Sequence, residues 1–155
     1  VIIAGILILT AYLTNFLNYY FGEYPKRYAI EWQYGMKQIV EFVKENPGYN
    51  PIFVTDVRGQ PYIFFLYFLK TPLPEYLNTV LYNNSLSKSY NNVVNFDKFF
   101  FVEKQELIGA LPISDYLYVV NPDQYDGLQH KSSFDVKKII YYPNGTIAFY
   151  LISAE

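Results

Sequence analysis

The residues best placed for chemistry lie at the end of one short apolar run. In "IFVTDVRGQP", residues 52–61, a β-branched and aromatic stretch closes on Asp56 and Arg58. A run of this kind, bounded by turn residues, reads as a buried strand. Ligands of α/β sheets bind outside the carboxyl ends of the strands, which makes Asp56 and Arg58 the candidate ligand-binding pair. The competing role for Asp56 is a cap or a turn. Gly59 alone cannot build a glycine-rich phosphate cradle. His130 stands in a polar loop with no Cys or paired acid nearby, and a metal or catalytic role needs converging partners. Asp115, Asp123 and Asp126 follow or flank strand ends. Paired carboxylates could serve glycosyl chemistry, but the Asp123–Asp126 spacing fits turn formation. No catalytic residue, metal set or cofactor is assigned. Two sequons, at 83–85 and 144–146, allow N-glycosylation of an exported domain.

Composition narrows the class. The chain has 155 residues, enough for one domain with a real core, and a net charge of −2 that gives no polyanion-binding surface. Nucleic acid is therefore set aside as a partner. With no Cys there is neither a disulfide framework nor a thiolate metal site. Aromatics reach 21%, with 18 Tyr among them, a side chain at home in membrane interfaces and sugar clefts.

The elements that would position Asp56 and Arg58 follow an uncharged apolar stretch, "VIIAGILILTAYLTNFLNYYF" at 1–21. A helix of about 20 apolar residues spans the hydrocarbon core of a bilayer. There is no basic leading region or small-residue cleavage site of a signal peptide. Residues 1–21 thus read as a transmembrane-type helix, the alternative being a buried core helix. Ala11, Thr14, Asn15 and Asn18 share one face of it, a face suited to other helices. The missing initial Met reads as a piece of something longer. Gly22 and Pro25 in "GEYPK" are helix stops. An amphipathic helix is expected over 27–45, with Trp32, Met36, Ile39, Val40 and Val43 as its apolar stripe packed on the sheet, and Gly35 allowing close approach.

After the strand at 52–56, "PYIFFLYFL" at 61–69 is apolar all round and too short to span, so it reads as a buried helix over the sheet. Residues 83–92 are a polar loop. Strands are expected at 96–103 and 115–122, with a short helix at 104–111 and a loop from 123. Asn144–Gly145 marks a terminal hairpin. The sum is a small α/β domain, 22–155: a mostly parallel sheet flanked by helices, with a C-terminal β-hairpin.

This order of pieces resembles a known one. An apolar helix, then "NYYFGEYPKRYAIEWQYGMKQIVEFV", then "PIFVTD…PYIFFLYF", is similar to the C-terminal region of polytopic glycosyltransferases of the family 39 type, the relatives of protein mannosyltransferases and of lipid A aminoarabinose transferase. Trp32, Tyr34 and Gly35 match an aromatic "W/F-x-Y-G" pattern, and the similarity covers about residues 10–77. The resemblance implies that 1–21 is the last transmembrane helix, in contact with membrane lipid and the remaining transmembrane part of a parent protein. It implies that 22–155 is an extracytoplasmic, non-catalytic domain at the cell membrane, shaping the acceptor side of the active site. The parent would transfer a sugar from a polyprenyl-phosphate donor by inversion. The family's catalytic carboxylate lies in the first extracytoplasmic loop, so no residue here inherits that role. Lys26 and Arg27 pull the other way, since positive charge flanking a span favours the cytoplasmic side. The alternative function is a membrane-anchored binding module without enzymatic activity.

Overall fold

A computed structural model describes residues 2–56, 59–83 and 92–154, the side chain of Lys104 excepted. Chain entry is one long helix. α1 (Ile2–Asn18) passes through a wider π-type turn at Tyr19–Glu23 into α2 (Tyr24–Arg27). Gly22 and Pro25 do not stop it. Pro25 has no N–H to give to the preceding turn, and the wider turn absorbs that loss: the N–H of Tyr24 reaches Tyr19 O instead. All of α1 is exposed, so it is not a core helix of this α/β domain. Ile2–Arg27 forms a helix long and apolar enough to cross a membrane or to act as a signal sequence.

The expected helix over 27–45 is only half present. Residues 28–35 form consecutive turns, and α3 runs from Met36 to Glu45. Gln33 (φ 55°) and Gly35 (φ 103°) are both left-handed, which no continuing helix permits. Gly35 is the N-cap of α3 rather than an interior residue. Met36, Ile39, Val40 and Val43 are buried as the periodicity predicts, whereas Trp32 is 69% exposed and packs on no sheet.

The sheet has seven strands in the order β2-β3-β4-β1-β5-β7-β6. They are β1 (Ile52–Thr55), β2 (Leu81–Tyr82), β3 (Val93–Phe96), β4 (Phe99–Val102), β5 (Leu117–Val120), β6 (Asp135–Tyr141) and β7 (Ile147–Ser153). It is mixed, not mostly parallel: only β4, β1 and β5 run together, and both flanks are antiparallel. The physical reason is local. Asp97 (φ 47°) lets β3 turn straight into β4, so the run at 96–103 is the second half of a hairpin. At the other end β7 returns beside β5 rather than crossing over.

Alternation divides the core. Ile52 and Val54, Phe99 and Phe101, and Leu117 and Val119 face α3 and α4 (Tyr62–Leu69). Phe53, Val102, Tyr118 and Val120 face α6 (Lys104–Ile108) and α7 (Pro122–Asp126) on the opposite side. Helices therefore cover both faces, with α5 (Leu73–Thr79) beside β3. α4 is not a buried helix. Only Phe65 is fully enclosed, its ring tilted against Phe99 at 4.9 Å and edge-on to Phe101 at 5.7 Å, while Ile63 and Tyr67 are exposed.

Candidate functional site

The carboxyl ends of β4, β1 and β5 carry Glu103, Asp56 and Asn121 in turn. Asp56 stands where the sequence places it, one residue past β1. Its N–H extends the ladder to Val102 O at 3.0 Å, and its own carbonyl accepts from Gly59 at 3.0 Å. Its carboxylate Oδ1 is shielded from solvent. Arg58, its proposed companion, lies outside the described residues, so the pair cannot be placed together.

A third segment meets this edge. Gln33 Nε2 donates to Gly59 O at 3.4 Å, tying the 28–35 turns to the loop after β1. Gln60 on that loop is left-handed as well (φ 47°). Two non-glycine residues in that region, one on each side of the contact, mark a constrained junction. The β6–β7 turn reaches the same side, because β7 is antiparallel to β5 with Val120 opposite Tyr150. Lys26, Ala29 and Ile30 line a small recess with Asn144 and Thr146 of that turn. The end of the long apolar helix and the carboxyl edge of the parallel strands thus lie on one side of the domain.

The other sequence candidates disperse. Asp115 and Asp123 sit at opposite ends of β5, and Asn50 donates to Asp115 O at 2.9 Å at the amino end. Asp126 pairs with Lys131 at 2.8 Å and raises that lysine's pKa, and the ammonium lies 4.1 Å from the Tyr125 ring. His130 is exposed. No group of three or more His, Cys, Asp or Glu among the described residues could hold a metal ion. In the second sequon, Asn144 Oδ1 accepts from Thr146 N at 3.0 Å and Oγ1 at 2.7 Å, holding the turn. The first sequon lies mostly outside the described residues.

The predicted loop after β5 hides a structured device. Asn121 caps α7 reciprocally: its side chain accepts from Gln124 N at 2.8 Å, and Gln124 Oε1 accepts from Asn121 N at 3.0 Å. The signal was readable as Asn-x-x-Gln, a capping box. A groove of about 620 Å³ opens elsewhere, at the amino end of β4. Its cations are spent on backbone: Lys98 Nζ donates to Pro47 O and Tyr49 O, and Lys44 Nζ to Phe68 O. That groove gathers no reactive set.

No protein-family model, curated protein or solved structure matches this chain.

Proposed function

We propose that this chain is the last membrane helix and the extracytoplasmic α/β domain of a membrane-embedded glycosyltransferase using a polyprenyl-phosphate-linked sugar. The domain is non-catalytic and shapes the acceptor side of the active site. One observation carries the reading: an exposed apolar helix ends in the turns at 28–35, which Gln33 ties through Gly59 to the carboxyl edge of the parallel strands. In an α/β sheet that is the ligand-binding edge. Here it faces the membrane side, where a lipid-linked donor would be held. The resemblance of residues 10–77 to family 39 C-terminal regions supplies the reaction class. Asp56 and Arg58 are the residues we assign to contact the sugar or acceptor.

Two measurements test this. The chain has no Cys, so Glu45→Cys on the exposed face of α3 gives a single thiol. Labelling by a membrane-impermeant maleimide in intact cells is expected; labelling only after lysis would put the domain in the cytoplasm and sink the localisation. The coding sequence upstream of Val1 is expected to encode further apolar spans with an acidic loop after the first. Membranes bearing that full product should transfer sugar, and should lose transfer when 22–155 is deleted. A single span upstream, with no transfer, would leave an anchored binding module instead.

A further inference from the structure

We propose that the α/β domain makes its own contact with the bilayer, through an aromatic surface centred on Trp32 that seats among the phospholipids beside the end of the membrane helix. The inference rests on the reading of Ile2–Arg27 as membrane-spanning and adds a second lipid contact to it.

Helix length sets the depth. The 26 residues of Ile2–Arg27 form one continuous helix. At 1.5 Å per residue this is about 39 Å, against a hydrocarbon core of about 30 Å. The last turns therefore stand at headgroup level, which is where the first charges, Glu23, Lys26 and Arg27, occur. An aromatic column climbs the same stretch. Ring centroids are 5.7 Å apart for Phe16–Tyr20, 5.6 Å for Tyr20–Tyr24 and 4.7 Å for Tyr24–Tyr28.

Trp32 joins this column from the domain side. Its indole N–H donates to Tyr24 Oη at 3.2 Å, which fixes the indole at the level of Tyr24. Ile30, two residues before it, is also exposed. Between the indole and the helix lies an apolar cleft of about 320 Å³, lined among others by Tyr20, Phe21, Pro25 and Pro143. Amphipathic rings favour this layer, where an apolar body and a polar tip are both satisfied. The occupant is the glycerol–acyl boundary of the phospholipids the helix crosses. Tyr20 of the cleft stacks on Phe16, which is exposed on the helix together with Leu17. On the same final turns Lys26 pairs with Glu23 at 3.3 Å, and Arg27 after it adds the positive charge that favours anionic headgroups.

Trp32 is the one tryptophan and there is no Cys, so the test needs little engineering. The full chain is reconstituted in phosphatidylcholine–phosphatidylglycerol vesicles containing nitroxide-labelled phospholipids. Ala11→Cys carrying a fluorophore reports the helix in parallel. Nitroxides near the headgroup are expected to quench Trp32 more than those near the chain end, and aqueous iodide to quench it weakly. The Ala11→Cys label should be quenched most by the deep nitroxides. If the label is quenched in that way while Trp32 responds to iodide and to no lipid probe, the second contact is absent and the spanning reading stands. If neither responds to lipid probes, the spanning reading falls and the contact with it.

Discussion

The Phe149 ring occupies the space that a side chain on Gly35 would need. A Cβ built there would meet Phe149 Cδ2 at 2.9 Å and Ile140 Cγ2 at 3.4 Å, on a backbone at φ 103°. Gly35 is thus required twice, for its conformation and for its lack of bulk, at the point where the 28–35 turns become α3. Left-handed strain of about 1–3 kcal/mol joins an overpacking cost of about 1–3 kcal/mol. Gly35→Ala is expected to lose roughly 2–6 kcal/mol in chemical denaturation of residues 22–155. A loss within 0.5 kcal/mol, the usual range for surface changes, would contradict the close approach.

Trp32→Ala should behave in the opposite way. The sequence pattern makes Trp32 the first residue of a buried stripe, a position where truncation costs about 3–5 kcal/mol. The indole is instead 69% exposed and bonded to Tyr24. The expected loss in the soluble domain is below about 1 kcal/mol. A loss in the range of a core aromatic would mean that the indole turns inward when the helix is free.

These two residues also show what the sequence discloses and what it does not. The stripe Met36–Ile39–Val40–Val43 is legible because burial of one helix face imposes its period directly. The same period extends back to Trp32 only by coincidence of spacing. What ends the helix there is backbone geometry at Gln33 and Gly35, and Gly35 was readable as a boundary residue. The β6–β7 hairpin is legible because Asn144–Gly145 encodes its turn chemically, and Gly145 is left-handed as that turn demands (φ 86°). Strand direction was not legible. Whether β4 follows β3 by a crossover or a tight turn depends on Asp97 accepting φ 47°, which Asp tolerates but does not announce. At the candidate edge, the place of Asp56 one residue past β1 was legible from the strand pattern. Gln33 was missed because it lies 26 residues before the Gly59 carbonyl it bonds.

Residues 22–155 are expected to fold without the leading helix. No residue of α1 is buried, so its removal exposes no core. Ala29, at the start of the turns, is the first buried residue of the domain and is retained. The domain should show one cooperative thermal transition. A non-cooperative melt would mean that α1 supplies packing to the domain.

The last prediction concerns alkaline stability and Tyr118. Its ring is buried under α6, stacked on Phe53 at 5.1 Å, and its hydroxyl donates to Leu111 O at 2.8 Å. Burial, with Tyr116 nearby, pushes its pKa from 10.0 up to about 12. The folded state therefore holds the neutral phenol more tightly than the unfolded chain does. The sign follows from linkage: a raised folded pKa gives stability that is fully present below the unfolded value near 10 and is lost as pH rises through the folded value. Tyr118→Phe removes both the hydrogen bond and the titration. At neutral pH the variant should be less stable by about 1 kcal/mol, the usual net worth of one hydrogen bond. Between pH 10 and 12 wild type should lose stability faster than the variant, because the remaining tyrosines titrate in both and cancel in the difference. Denaturation curves at stepped pH should thus show the gap closing, then reversing. A gap that stays constant to pH 12 would mean that Tyr118 titrates alike in the folded and unfolded chains, and the buried phenol would be the wrong reading of this face of the sheet.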